Sequence, residues 1–211
     1  MLTVRRPNTA AVTRCLEERQ NTPFTYEPLG ISETLDISSE FDVDRQQTLL
    51  GFGEEVYQAA KDAIRRWEMF PEGLTKLYWP NQAIRVGEHV AVLFRAGPLW
   101  SLNPCRIVHV CDSARSADGI DRFGFAYGTL EGHLESGEER FSVRWNRNDD
   151  SVHYELLAVS RPNHFLTKVG YPYARVVQAR FRRRSALAMK RAVARLRPRT
   201  NTAPPCDFTS L

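Results

Sequence analysis

The sequence contains no apolar run of membrane-spanning length, no Cys-x-x-Cys pair and, between Leu156 and Cys206, no acidic residue. Each absence excludes something. A helix that crosses a bilayer needs roughly 20 apolar residues in succession, so no transmembrane segment is expected. Arg5 and Arg6 resemble the charged start of a signal peptide, but Thr9 to Val12 behind them is too short and polar for its apolar core. The expected location is therefore cytoplasmic. Among the four cysteines, Cys105 and Cys111 lie on one strand-like run, CRIVHVC. At about 3.3 Å per residue they sit roughly 20 Å apart and cannot bridge each other. Cys15 and Cys206 belong to the terminal segments. Neither a disulfide framework nor a zinc knuckle is signalled, and free thiols are expected.

The missing acids make the chain electrically two-ended. Of 29 Lys and Arg, twelve fall between Leu156 and Cys206, which leaves 17 basic against 25 acidic residues elsewhere. A basic end can face nucleic acid or phospholipid. A basic helix lying on an acidic sheet produces the same pattern without a partner. Arg180, Arg182, Arg183 and Arg184 cover most of the way around a helix, so at least one of them must face inward or lie at a sheet edge. No exposed aromatics or recognised motif accompany them, so nucleic acid is not the expected partner; a solvated face comes first and an anionic membrane surface next.

What is present is an ordinary globular composition: 211 residues, 42% hydrophobic and 26% charged, enough for one well-filled core. A polar arm over 1–22, with Pro7, Asn8 and Thr9 as helix starters, precedes a domain over 23–196, and 197–211 reads as a loose tail. Phe41 to Leu50 carries strand character and Gly51 with Gly53 stops it. Val56, Ala60, Ala63, Ile64 and Trp67 then follow amphipathic helical spacing, with Glu54 and Glu55 in the first turn, where the helix dipole favours acids. Six strand signals follow: Leu74 to Trp79, Glu88 to Arg95, Pro104 to Asp112, Arg122 to Leu134, Glu139 to Asn146 and Val152 to Ser160. Turn formers such as Pro80-Asn81, Gly97-Pro98 and Asn103-Pro104 separate them, as in an antiparallel meander. From about Phe165 to Leu196 the period is helical again, with Tyr173, Val177, Phe181, Ala188, Ala192 and Leu196 near one stripe and Pro172 starting or kinking the main part.

The run FGFAYGTLEGHLESGEERFSVRW, Phe123 to Trp145, reads as a hairpin about Glu135-Ser136-Gly137-Glu138. On its first strand Phe123, Phe125, Tyr127 and Thr129 share one face, while Gly124, Ala126 and Gly128 share the other. The bare face is expected to admit a helix or a ligand close to the backbone.

Several local sequences together carry a resemblance: Gly51-Phe52-Gly53-Glu54-Glu55-Val56, Trp67 with Phe70, Asn103-Pro104-Cys105-Arg106, Phe123 to Leu130, Gly132-His133, Gly137 to Phe141 and Ser160-Arg161-Pro162. From about Phe24 to Arg195 the chain resembles the family called domain of unknown function nineteen-ninety. That family is similar to the START and birch-pollen-allergen superfamily. The resemblance implies an α+β helix-grip fold, a curved seven-stranded antiparallel sheet wrapped around a long C-terminal helix. It also implies the superfamily habit of holding apolar ligands between sheet and helix, and it brings no catalytic residues.

The candidate ligand-binding residues are Trp67, Phe94, Phe125, Tyr127, Trp145, Tyr154 and Arg161. The aromatic members are first of all core, since each buries roughly 150 to 250 Å². Tyr127, Tyr154, His109, His153 and Arg161 would converge if their strands are neighbours, offering a proton donor and a guanidinium for a carboxylate or phosphate. The same residues also serve as core aromatics with satisfied hydroxyls and an arginine bonded to loop carbonyls. His133, Glu135, Glu138 and Glu139 bracket the hairpin turn, but zinc needs three or four converging ligands, so no metal is expected. Gly51-Phe52-Gly53 lacks the third glycine of a dinucleotide loop and is followed by two carboxylates, so no cofactor is expected. The favoured function is a binding module for an apolar or amphipathic small molecule. The alternatives are a hydrolase, cyclase or isomerase using the same cavity, with Tyr127, Tyr154 or His133 in acid-base roles, and an interaction protein whose basic helix meets an anionic surface.

Overall fold

Strict alternation of exposed and half-buried residues from Asp42 to Leu50 marks the first long strand, which runs on to Phe52, and a helix opening on Glu54 and Glu55 follows at once. The computed structural model describes residues 2–35, 37–71, 73, 75–78, 83–96, 99–163 and 171–197, without the side chains of 96 and 171–174. The elements run β1 (Leu2–Thr3), α1 (Thr9–Glu17), α2 (Ile31–Thr34), β2 (Asp42–Phe52), α3 (Glu54–Arg65), β3 (Thr75–Tyr78) and β4 (His89–Ala96). They continue with β5 (Leu99–Ser113), β6 (Ile120–Thr129), β7 (Glu135–Asn146), β8 (Ser151–Pro162) and α4 (Tyr171–Leu196). One sheet is formed in the order β2-β8-β7-β6-β5-β4-β3, and β1 adds an eighth strand beside β5. Every pairing is antiparallel. Register shifts at Leu49/Gly51 and Ile107/His109 bend it. On its inner face α4 packs against α3, β2 and β8. The fold is α+β with the helix-grip arrangement, and the expected seven strands form the continuous path.

Cross-strand partners share a face, so the register assigns each side chain a side. Phe123, Phe125, Tyr127, Phe141, Val143, Tyr154 and Leu156 point inward and meet Val56, Ala60, Ile64, Trp67, Met189 and Val193 from the helical side. The outer face has two covers of its own. Val12, Cys15 and Leu16 of α1 rest on Ala91, Leu93 and Leu102, and Tyr26 with Ile31 rests on Leu157 and Val159. Asn8 caps α1, its Oδ1 accepting the Ala11 N–H at 2.9 Å.

Three expectations are corrected. The hairpin reverses over 130–134, not at Glu135-Ser136-Gly137-Glu138, which lie in β7 paired to β8. Gly137 was the misleading signal: its φ is +148° and a Cβ there would stand 2.0 Å from the Val159 carbonyl oxygen, so this glycine serves close strand approach, not a turn. Asn103-Pro104 likewise lies inside β5, where the buried Asn103 amide donates to the Val92 carbonyl at 3.1 Å. Finally, the bare face of β6 is the outer one. A Cβ at Gly128 would stand 2.2 Å from Tyr26 Oη, so what the bareness admits is Tyr26 and not α4 or a ligand on the inner face.

On α4 the buried positions are Ser185, Ala186, Met189, Ala192 and Val193, with Phe181 and Leu196 partly buried beside them. The expected stripe is thus shifted: Val177 and Ala188 are half-buried, and Arg182 turns inward while Arg180, Arg183 and Arg184 are exposed. Leu74, Trp79, Pro80-Asn81, Gly97-Pro98, Phe165, the side chains of Pro172 and Tyr173, and the tail from Pro198 lie outside the described residues.

Candidate functional site

The middle of the space between sheet and α4 is filled by aromatic rings. Trp67 follows α3 at φ +58°, and its ring centre lies 4.6 Å from that of Phe125 and 5.9 Å from that of Phe70. Phe70 in turn stands 5.4 Å from Phe141 and 5.7 Å from Phe181 of α4. Tilted contacts at these distances are the favoured geometry for ring pairs.

Toward the end of the sheet where β7, β8 and β2 meet the first half of α4, the lining becomes polar. Period two on β2 turns Asp42 and Asp44 to the inner side, opposite Ser160 and Ala158, while Glu135 and Glu139 of β7 share that side. Tyr127 of β6 stands opposite Glu139 and donates its hydroxyl proton to Glu139 Oε2 at 2.5 Å. From α4, Arg175 grips Asp44 with both terminal nitrogens, one at 2.8 Å, and Arg182 reaches the same carboxylate at 3.0 Å. Arg175 also donates to Gln178 at 3.2 Å. Four carboxyl groups thus face two guanidinium groups.

Burial sets the proton affinities here. It pushes the Glu139 carboxyl up to about 7, although the Tyr127 hydrogen bond and Arg182 pull downward. Glu135 is pushed up to about 7 by burial and by Asp42, against Ser160 and Arg175. The Tyr127 hydroxyl is raised well above its ordinary value by burial and then by Glu139. Near neutral pH the cluster therefore exchanges protons at Glu135 and Glu139 while Tyr127 stays protonated. Chemically it can accept a hydrogen-bond donor or cation at its carboxyls and an anion at Arg175 or Arg182.

The sequence-level candidates separate. Trp67, Phe125 and Tyr127 lie in one aromatic wall with Phe141. Tyr154 is buried and shares a 2.8 Å hydrogen bond with Ser185 of α4. Trp145 is buried further along the sheet; its indole N–H donates to Asp150 at 2.8 Å and Arg147 stacks at 4.1 Å from its ring centre. Phe94 is half-buried on β4, opposite Thr75 of β3. Arg161 does not line the interior: it pairs with Glu40 and stacks over Phe41 at 4.9 Å, because its position opposite Ser136 puts it on the outer face. His109 and His153 are outer as well, His109 against Glu33 at 3.1 Å. The convergence of Tyr127, Tyr154, His109, His153 and Arg161 is therefore broken by the pleat. His133 accepts the Glu135 N–H at 2.9 Å, and burial pushes its pKa down to about 3. Glu135 and Glu139 are inner and Glu138 is outer, so the four residues around the expected turn do not converge. Among the described residues no cluster has the makings of a metal site. Asp44 and Arg175 were not singled out, while Glu139 was weighed only among the residues bracketing the hairpin turn and Arg182 only within the basic run; the signal was the alternation in DVDRQQT, which puts Asp42 and Asp44 on one strand face.

A curved antiparallel sheet gripping a C-terminal helix, with aromatic and ionisable groups between them, defines the helix-grip class. The chain belongs to the family described as Domain of unknown function (DUF1990), whose model matches residues 25–188. It is 34% identical over 208 residues to a UPF0548 protein of Dictyostelium discoideum, covering 92% of this chain and 96% of that one. It is also 34% identical over 154 residues to a UPF0548 protein of Arabidopsis thaliana, covering 72% of this chain and 74% of the relative. Among solved structures it is similar to a norcoclaurine synthase of Thalictrum flavum (13% identity, TM-score 0.45, 76% of this chain and 98% of that one). A hypothetical protein of Helicobacter pylori is similar too (10% identity, TM-score 0.48, 83% and 99%). No helix among the described residues is long and apolar enough to cross a membrane.

Proposed function

We propose that this protein is a cytoplasmic binding module that holds an amphipathic small molecule between the sheet and α4. The apolar part lies along Tyr127, Phe141 and Phe181, and the polar head sits at Glu139, Asp44 and Arg182. One observation carries the reading. At this end of the interface, helix and sheet confront each other through carboxyl, phenol and guanidinium groups instead of close-packed hydrocarbon. Ionisable groups are expensive to withdraw from water, and their collection beside an aromatic wall is typical of small-molecule sites.

The test is native mass spectrometry of the protein purified from its host, followed by solvent extraction of whatever accompanies it. A stoichiometric amphipathic compound is expected, and it should be lost from Glu139→Ala and Arg182→Ala but retained by Arg183→Gln. A protein that arrives empty and binds no member of a panel of amphipathic acids and amines overturns the reading.

A second reading rests on the short Tyr127–Glu139 hydrogen bond. A carboxyl with a pKa of about 7 is poised as a general acid or base, so the same cluster would suit proton transfer on the bound molecule. Turnover of the extracted compound that vanishes in Glu139→Gln, with binding retained, separates this from simple carriage.

A further inference from the structure

The outer face of β8, β7 and β6 carries more positive charge than the carboxylates around it balance. His153, Arg144 and Arg122 stand directly opposite one another in a row across these three strands. Two arginines at opposed positions destabilise a sheet, so folding alone does not favour the pair. Two residues before Leu157 on the same face, Glu155 is 1% exposed. It is approached by Arg45 at 2.9 Å, Arg140 at 2.8 Å and Arg144 at 3.7 Å. Burial pushes the Glu155 carboxyl up, and Arg45 and Arg140 more than offset it, so the acid stays ionised. Three guanidinium groups share this one negative charge, while Arg122 is held by Asp118 at 2.6 Å. The Nε groups of Arg140 and Arg144 are buried and have no acceptor among the described residues. Between the arginines the floor is Ser142 opposite Gly124, and it stays low because a Cβ at Gly124 would stand 2.3 Å from the Phe141 carbonyl oxygen.

We propose that this patch, Arg45, Arg122, Arg140 and Arg144 around Glu155, binds a phosphate-class anion, either a soluble phosphate monoester or the phosphate of an anionic lipid headgroup. Guanidinium groups fit it because their planar fork matches two phosphate oxygens at once and keeps its charge at any relevant pH. One carboxylate against three guanidinium groups leaves room for a dianion. The patch lies on the opposite side of the sheet from the Tyr127–Glu139 cluster, so it stands or falls independently of the small-molecule reading.

The experiment titrates the full chain with inorganic phosphate by calorimetry at low salt, then with phosphatidylcholine vesicles with and without phosphatidic acid. Saturable phosphate binding is expected, and it should weaken as KCl screens the charges. In Arg144→Gln it should fall about tenfold, the factor for losing one charge-assisted hydrogen bond. Arg144→Lys keeps a cation near Glu155 but loses the fork. It should fold like the parent by circular dichroism and still bind more weakly, which guards against a variant that merely misfolds. Arg183→Gln with Arg184→Gln, exposed on α4, should change nothing. Vesicle binding that needs phosphatidic acid and is competed by phosphate identifies the headgroup; phosphate binding without vesicle binding identifies the soluble ester. No saturable binding of either probe overturns the proposal. So does binding that both Arg144 variants leave intact, or that the α4 pair lowers equally.

Discussion

Replacing Glu138 by alanine should be among the most costly single substitutions in this chain, because its carboxylate is the anchor that fastens the N-terminal segment to the sheet. The residue is 2% exposed. Tyr26 Oη and Gly30 N donate to Oε1 at 2.7 and 2.6 Å, and Ser32 N and Oγ donate to Oε2 at 3.0 and 2.6 Å. Hydrogen bonds to a charged acceptor contribute about 1.5 to 3 kcal/mol each, and a buried donor left unmade costs about 1 to 3. Water can reach the half-buried Gly30 amide, but Tyr26 and Ser32 are buried. The worked loss for Glu138→Ala is therefore about 3 to 5 kcal/mol, a large share of the roughly 5 to 15 that stabilises a whole domain. At about 2 to 4 °C per kcal/mol the melting temperature should drop by roughly 6 to 20 °C. Tyr26→Phe removes one of the four bonds and should cost about 1.5 to 3 kcal/mol alone, and clearly less once Glu138 is gone. The assay is urea unfolding followed by circular dichroism for the two single variants and the double, with hydrogen exchange over 24–35. The reasoning is refuted if Glu138→Ala costs under about 1 kcal/mol, or if Tyr26→Phe costs the same in both backgrounds.

Gly137→Ala should destabilise by more than about 3 kcal/mol, since its Cβ would collide with the Val159 carbonyl at a positive φ; a chemical melt that matches the parent would contradict the assigned register. For Glu139 the sign follows from a folded-state pKa raised from its ordinary 4.5 to about 7. The folded chain binds the extra proton, so this group's contribution is fully present below about pH 4.5 and lost as pH rises toward 7. Glu139→Gln should therefore be more stable than the parent at pH 8 and no more stable at pH 4.5, read from paired unfolding curves. Ser185→Ala should cost about 1 to 2 kcal/mol by stranding the buried Tyr154 hydroxyl, and adding Tyr154→Phe should recover part of that loss in the same melts.

Much of the fold was legible because its signals are periodic. The alternation of Phe123, Phe125 and Tyr127 against Gly124, Ala126 and Gly128, and the helical spacing from Val56 to Trp67, each place one face in the core. What misled was glycine and proline read as punctuation. Gly137 and Pro104 lie inside strands, because a glycine that permits close approach and one that permits a turn look the same in a sequence. The site was legible only in part. Tyr127 and Phe125 follow from strand alternation, whereas the meeting of Glu139, Asp44 and Arg182 depends on three elements far apart in the chain. Arg161, His109 and His153 fell to the wrong side because a one-residue difference in register moves a side chain across the sheet.

Two adjacent glutamates on β7 show why location in the pleat decides which carboxylate is available for function. Glu138 points outward and has its acceptor capacity taken up by four donors from Tyr26, Gly30 and Ser32. Glu139 points inward and, among the described residues, takes one hydrogen bond, from Tyr127, while burial keeps its proton affinity near neutrality. A saturated carboxylate has nothing left to offer a ligand, and removing it dismantles structure. An undersaturated one retains acceptor sites and a proton that can move, so its removal should alter binding while leaving the fold in place. The contrast makes Glu139, and not its equally acidic neighbour, the residue at which a bound molecule or a transferred proton should first be sought.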